Sequence, residues 1–284
     1  MGQVSRRHHF VPKFYLARFT DTGTSDGRVW VLDPRAGRPF LERPKNIAWE
    51  RDFNRVDVAG QAPDVLEGMF GDFEGKTASV IQQICSEGRL PEDDEFSYVL
   101  SLITLLIVRH PAMRRSMAQT RQQARRAIGN LLASNRALYE HHLKSAREAG
   151  FVSGADVPFE KMQERLRGAA TITISPEEHL RTEMAVFEDI LRAVSSRWWS
   201  LLVAAADAPD FVTCDRPVSL VSRQAVFPLG TRHCIIGDRD HPGQPTMFLD
   251  GSGVAEVNSW ILALADHQVY SRTPEVALPL VRRV

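Results

Sequence analysis

The sequence predicts an α+β fold, in which a central helical bundle packs with short, mostly antiparallel strands from the N-terminal and C-terminal parts of the chain. Three observations predict it. Apolar residues recur at helical spacing through the middle of the chain, and short β-like runs broken by Asp, Pro and Gly cluster toward its two ends. Strands and helices also do not alternate regularly, as a doubly wound parallel sheet would require.

A single domain is predicted for residues 1–284, because a chain of this length can bury one sizeable core. It divides into an N-terminal hairpin segment at 1–60, a helical middle at 61–198, and C-terminal strands with a helix at 199–284. The hairpin is expected where β-like runs flank the turn from Asp33 to Gly37, which has Pro followed by Gly.

Several helices are predicted in the middle of the chain. An apolar stripe begins after Asp64, and the acidic run 90–95 with its early Pro predicts the start of a second helix. That helix should end at Arg109-His110-Pro111, because Pro disfavours helical geometry in the preceding residue. An Arg-rich helical stretch follows at 114–147. The remaining predictions are a helix opening at 175–176, strands at 200–205, 211–213 and 233–236, and a last helix near 254–265.

The composition is that of an ordinary globular protein, with 43% hydrophobic residues, 25% charged residues and a formal net charge of zero. The three cysteines are far apart and have no Cys-x-x-Cys spacing, so neither a disulfide framework nor a cysteine zinc site is supported. The most apolar run, 96–108, is shorter than the roughly 20 residues of a membrane span. No targeting signal is recognised. We therefore expect a cytoplasmic protein without a membrane partner.

Polar residues are unusually dense at the start of the chain. His8 or His9 could act as a general base or as a metal ligand, since imidazole titrates near neutral pH and binds borderline metals. Lys13 and Tyr15 are candidates for substrate binding. The alternative is one hydrogen-bonded core histidine and one solvated histidine.

Paired carboxylates are predicted on the helix that begins after Asp64. Glu67 and Glu74 are seven residues apart and project at nearly the same angle, and three glycines, at 68, 71 and 75, run beside them. Because Gly is costly inside a helix, the glycines suggest close approach of a ligand or a backbone. Ordinary helix packing explains the same pattern.

Arg109 follows a strongly apolar helix, so its guanidinium needs a carboxylate or an anionic ligand. Glu67, Glu74 and Asp215 are its candidate partners. Asp215 follows the strand predicted at 211–213, where functional side chains often emerge, with Cys214 exposed beside it. Alternatively, Arg109 ties two helices together and Asp215 stabilises a turn.

A basic stripe is predicted in the Arg-rich stretch if one helix continues past Gly129. Arg114, Arg121, Arg125 and Arg136 then share one angular sector, and no acidic residue separates Arg109 from Tyr139. Such a stripe could bind nucleic acid, although a solvated helix face is the more ordinary interpretation.

The chain resembles a bacterial and fungal family known as domain of unknown function 4238. The resemblance lies in an ordered series of short blocks over nearly the whole chain: 8–16 with 18–20, 29–31, 44–48, Glu50, 52–53, Glu67, 73–75, Arg109 with Pro111, Trp198, Asp215 with 217–218, Asn258 and 269–271. Cys214 and His110 depart from the family pattern, which has Ser and Thr there. The resemblance implies an intracellular protein, with some members associated with anti-phage defence, but it implies no reaction.

The leading hypothesis is a hydrolase acting on a phosphodiester or another anionic substrate. Its predicted catalytic residues are His8, His9, Glu67, Glu74, Arg109 and Asp215. Asn258 joins Lys13 and Tyr15 as substrate-binding residues, and a divalent metal ion, if used, would be held by His9, Glu50 and Asp52. The alternatives are a non-catalytic module that binds or senses nucleic acid or a ligand, and a small-molecule hydrolase of a biosynthetic or resistance pathway.

Overall fold

The fold is α+β, as predicted. A computed structural model describes residues 7–51, 53, 65–92, 94–152, 157–167, 176–221 and 223–275. Side chains at 65–70, 165–167, 176–180 and 219–221 are not described. The chain divides into two compact units, residues 1–112 with 180–284, and residues 113–179. The single domain stays a prediction.

Helices dominate the middle of the sequence. The helices are α1 Lys13–Ala17, α2 Val65–Glu87, α3 Phe96–Val108, α4 Pro111–Ser134, α5 Arg136–Glu148, α6 Phe159–Arg167, α7 Pro176–Ser195 and α8 Gly251–Leu262. The acidic run 90–95 does not open a helix as predicted, because α3 begins only at Phe96. The predicted end of α3 at Arg109 is confirmed, since Pro111 begins the next helix.

The strands come from both ends of the chain. They are β1 Arg7–His9, β2 Val29–Leu32, β3 Phe40–Glu42, β4 Trp49–Arg51, β5 Trp198–Ala204, β6 Thr213–Cys214, β7 Ser219–Val221, β8 Gln224–Pro228, β9 His233–Asp238, β10 Thr246–Leu249 and β11 Val269–Ser271. The predicted hairpin is confirmed as β2 and β3, and Gly37 takes the left-handed conformation, with a φ of 72°, at its turn.

A four-stranded antiparallel sheet joins the two ends of the sequence. Its order is β3-β2-β11-β6, with Tyr270 of β11 opposite Val31 on one side and Thr213 on the other. The sheet therefore extends from the N-terminal hairpin to two C-terminal strands, β11 and β6. A second sheet has the order β10-β5-β9-β8-β7, and only β10 runs parallel to its neighbour.

The larger unit has two apolar clusters. One packs α1, α2 and α3 against the five-stranded sheet, with fully buried Leu16, Ile81, Ile103 and Leu201 among its members. The other packs α8 beneath strands of both sheets, around Phe211 and Ile261. Together they fix the loops that precede α1, follow α3 and precede β11.

The smaller unit is helical. Asn135 caps α5 by accepting the backbone N–H of Leu138, and the Tyr139 hydroxyl donates to the Val157 carbonyl at 2.6 Å. Gln163 of α6 reaches the Ala133 carbonyl at the end of α4. In the described parts of the chain, no single helix is both long enough and apolar enough to span a membrane. The bent pair α3 and α4 meets that criterion only when the two helices are taken together.

Candidate active site

In the larger unit, a small cleft is lined by the N-terminal segment, α2 and α3. Its empty volume is about 260 Å³, counting the solvent at its mouth. Two charged side chains, Glu74 and Arg109, line it together with six uncharged residues: Phe10, Pro12, Phe73, Leu102, Leu105 and Leu106. Two of the six predicted catalytic residues therefore share one concave site.

Arg109 stands at the carboxyl end of α3. Its backbone N–H closes the last turn on the Leu105 carbonyl, and the residue is only 8% exposed. A cation at this end of a helix is favoured by the helix dipole. The buried guanidinium is engaged within the protein, as burial requires, so an anionic ligand entering the cleft would exchange for an existing contact.

Glu74 projects into the cleft from α2 and is half-buried, and it also has contacts within the protein. Glu67 lies on the same helix, but its side chain falls outside the described residues. Among the described residues, a Cβ at Gly71 or Gly75 would meet nothing within 4 Å, so no described backbone approaches these two glycines closely, and approach of a ligand stays a prediction.

His110 adds an imidazole that the sequence reasoning did not place in the site. It is 4% exposed, and its ring meets the edge of the Phe10 ring, with 5.7 Å between centroids. Nδ1 accepts the backbone N–H of Ala112 at 3.2 Å and lies 3.9 Å from Oδ2 of Asp266. His110 thus contacts the cleft residue Phe10, and its Nδ1, which accepts the Ala112 N–H, lies near the Asp266 carboxylate at a distance too long for a hydrogen bond.

Asp215 organises the loop that carries Asp266. Its Oδ1 accepts the backbone N–H of Asp266, and its Oδ2 accepts those of His267 and Gln268, at 2.8 to 2.9 Å. Burial raises the pKa of Asp215, while the three N–H donors act in the opposite direction. Both oxygens are committed to the loop, and a catalytic role for Asp215 stays a prediction. Its neighbour Cys214 is fully buried, so the expectation that this thiol is exposed is wrong.

The two N-terminal histidines lie on a short antiparallel pair of strands. His8, which is 1% exposed, is directly opposite Glu50, whereas His9 is opposite Trp49. Opposed residues share a face of such a pair and successive residues alternate, so His8 rather than His9 shares a face with Glu50. Asp52 lies outside the described residues. At no place in the described chain, this one included, do three His, Cys, Asp or Glu side chains form a group that could hold a metal ion. The metal site stays a prediction.

The three predicted substrate-binding residues are placed apart from the cleft lining. Tyr15 is fully buried, stacks on Phe227, and shares a 2.8 Å hydrogen bond with the Thr213 hydroxyl. Asn258 accepts the N–H of Val212 and donates to the Asp210 carbonyl. Lys13 is exposed at the start of α1. The roles of Tyr15 and Asn258 in this geometry are structural, and binding of substrate by the three residues stays a prediction.

The arginine stripe does not continue as one helix. The helix passes Gly129 but ends at Ser134, and Arg136 begins α5, where it pairs with Glu160 and lies over the Phe159 ring at 5.0 Å. Arg114, Arg121 and Arg125 are half-buried and have contacts within the protein. This arrangement is a poor match to a free basic face.

His110 and Asp266 were missed for a physical reason. They are 156 positions apart in the sequence, and no local pattern links a helix-ending histidine to an aspartate in a loop before a C-terminal strand. The sequence signal for His110 is that it directly follows Arg109, which is itself a candidate site residue.

The comparisons with known proteins identify a family without identifying a reaction. Neither the search of curated proteins nor the search of solved structures found a significant match. One family model, described as "Protein of unknown function (DUF4238)", matches residues 7–275, nearly the whole chain. This protein therefore belongs to the DUF4238 family.

Proposed function

We propose that this protein is a cytoplasmic hydrolase that cleaves an anionic substrate, such as a phosphodiester, in the cleft lined by Glu74 and Arg109. The observation that carries the proposal is the shared cleft itself: a buried guanidinium and a carboxylate line one cavity beside the N-terminal segment. A guanidinium offers a planar fork of N–H donors that matches phosphate and carboxylate oxygens.

The chemistry divides between the two charged groups. Arg109 binds a substrate oxygen and stabilises the negative charge that grows on it as the bond breaks, an effect that is strong where water is excluded. Glu74 takes the proton of the attacking water as a general base. The predicted metal ion would supply activated water, with His8 and Glu50 on one face of the β1–β4 pair as the described donors. Two donors are fewer than the three protein ligands of an ordinary catalytic zinc site, so no step is routed through a metal.

The apolar walls of the cleft favour a small substrate, as in the second candidate function, a small-molecule hydrolase. Six of the eight lining residues are uncharged, and apart from open solvent the cleft encloses only about 10 Å³, so a substrate has to widen it on binding. A polymer would instead need an extended charged groove. A ligand-sensing module would use the same cleft but would bind without turnover.

The proposal is tested with chromogenic substrates that share one leaving group. Bis(p-nitrophenyl) phosphate, p-nitrophenyl phosphate and p-nitrophenyl acetate present a diester anion, a monoester anion and a neutral ester. We expect hydrolysis of an anionic ester, loss of it in Arg109→Gln, and retention in the control Arg38→Gln, which alters an exposed hairpin arginine. Comparing hydrolysis in EDTA with hydrolysis after Mn²⁺ addition tests whether the reaction needs a metal ion. Hydrolysis of the neutral ester alone would refute the proposed substrate class.

The link to anti-phage defence is part of the same proposal. Phage plating on cells that express the wild-type chain or Arg109→Gln compares protection with and without the proposed site. We expect the wild-type chain to reduce plaque number and the variant to lose that effect. Equal protection by both chains would separate any defence role from the cleft.

A further inference from the structure

A second cationic position lies away from the cleft, where Arg18 meets the turn between β8 and β9. The half-buried guanidinium donates from Nε to the Leu229 carbonyl, from Nη1 to Oε1 of Gln82 at 3.4 Å, and from Nη2 to Sγ of Cys85 at 3.0 Å. All three acceptors are neutral. No carboxylate among the described residues pairs with Arg18.

His233 lies at the base of the same turn. Its carbonyl accepts the backbone N–H groups of Leu229 and Gly230, and a Cβ on Gly230 would lie 3.5 Å from Nε of Arg18. Burial lowers the pKa of the half-buried imidazole, and the positive charges of Arg18 and Arg232 lower it further. Leu229 joins His233 and Arg18, because its N–H donates to the His233 carbonyl and its own carbonyl accepts Nε of Arg18.

Among the described residues, Arg232 next to His233 does not have a carboxylate of its own. Arg232 shares the carboxylate of Asp210 with Arg272, at 3.3 Å and 2.7 Å, so one anion serves two guanidinium groups. A partly buried cation without a carboxylate has lost hydration that neutral acceptors replace only in part. Three of the five N–H donors of Arg18 are used, which leaves two for a ligand.

We propose that Arg18, with His233 beside it, forms a binding site for a small oxyanion, in the form of a phosphate or carboxylate group. The oxyanion would accept the two remaining N–H donors of Arg18 and would favour the protonated form of His233. The site does not depend on the proposed hydrolytic function, since its residues are not those that line the cleft.

Cys85 gives this site a reporter of its own. It is the only partly exposed cysteine of the three, because Cys214 and Cys234 are fully buried. Alkylation of the native protein therefore measures the reactivity of the Cys85 thiol. The thiolate is the reactive form, and the charge of Arg18 favours it against the effect of burial, which raises the Cys85 pKa. An oxyanion on Arg18 would cancel that charge and slow the reaction.

The experiment measures the rate of Cys85 alkylation by iodoacetamide, located by peptide mass spectrometry, in phosphate, sulfate or acetate against chloride at equal ionic strength. We expect a severalfold, saturable slowing by at least one oxyanion in the wild-type protein and in the control Arg28→Gln, which alters an exposed arginine. Arg18→Gln should abolish the dependence. Comparison of phosphate with acetate assigns the ligand class.

A second measurement covers the case in which Arg18→Gln fails to fold. The pKa of His233, followed by NMR in the wild-type protein, should rise when the effective oxyanion replaces chloride. Equal alkylation rates and equal His233 pKa values in every salt would overturn the proposal. Equal slowing in the wild type and a folded Arg18→Gln would also overturn it, because the oxyanion would then bind elsewhere.

Discussion

Asp215 accepts the backbone N–H of Asp266 at 2.9 Å, and Asp266 in turn places its carboxylate 3.9 Å from Nδ1 of His110. A carboxylate at the end of β6 thus holds the loop whose Asp266 side chain lies near the imidazole that follows α3. Because Asp215 also holds His267 and Gln268, the loop has little freedom to move away from His110. The link connects the C-terminal strands with the helix that carries Arg109.

Replacing Asp215 should destabilise the fold. Asp215→Ala leaves three backbone N–H groups without their acceptor, and a buried unsatisfied donor costs about 1–3 kcal/mol. We expect the free energy of unfolding to fall by about 3 kcal/mol, and by less in Asp215→Asn, which keeps one oxygen. Urea denaturation measures both. The exposed Asp207→Ala is the control, and an equally small loss at the two positions would contradict the role of Asp215.

The Tyr15–Thr213 hydrogen bond should show strong coupling, because both groups are buried. Tyr15→Phe and Thr213→Val should each cost about 1–2 kcal/mol, since each leaves a buried hydroxyl without its partner. The double variant should lose less than the sum of the two. A double-mutant cycle from urea denaturation measures the coupling, and strict additivity would mean that the 2.8 Å contact contributes no pairwise energy.

Asp33 should make stability depend on acid pH. Its hydrogen bonds with Arg35 lower its pKa from 3.8 to about 2. A lowered folded-state pKa gives stability that is present above the unfolded-state pKa and is lost as the pH falls toward 2. Since the Arg35 side chain is 60% exposed, solvent screening reduces the effect to about 1 kcal/mol.

The comparison for Asp33 is with Asp33→Asn, which cannot ionise. The wild-type protein should exceed this variant in free energy of unfolding near neutral pH, and the difference should shrink between pH values of about 4 and 2. Denaturation at several pH values measures it. A difference that stays constant across this range would rule out ionised Asp33 as its source.

Two glycines of α2 should be replaceable with a gain in stability. Gly71 and Gly75 are exposed, and an added Cβ would meet none of the described atoms within 4 Å. Alanine at either position should raise the free energy of unfolding by about 0.5–1 kcal/mol, because the unfolded chain loses conformational freedom. Thermal melting of the single variants tests this. A lower melting temperature would show that the glycines serve a contact after all.

Periodicity predicted much of the fold because helices and hairpins are local. The spacing of apolar residues gave α2 and α7, and Pro111 gave the end of α3. It did not give the pairing of β2 with β11 or of β1 with β4, because strand partners far apart in sequence are chosen by tertiary packing. Nor did the acidic run start α3, since the four acids carry no apolar face to bury.

The site was predicted only where burial forced a conclusion. A guanidinium after four apolar residues had to lie inside the protein with a partner, and Arg109 does so. Tyr15 was assigned to substrate binding from the dense polar opening segment and Asn258 from the family blocks, and in the structure each side chain bonds within the interior. Sequence reasoning had no means to tell a buried polar link from a ligand contact, because the difference depends on residues such as Thr213 that are remote in the chain.

The account depends most on the cleft of Glu74 and Arg109 as a hydrolytic site. Its most direct test is the kcat/KM for bis(p-nitrophenyl) phosphate in Arg109→Lys, which keeps the charge but loses the planar fork of donors. We predict a fall of about 100-fold or more relative to the wild type, with an unchanged circular dichroism spectrum. Wild-type kcat/KM in that variant, or no hydrolysis by the wild-type protein, would contradict the account.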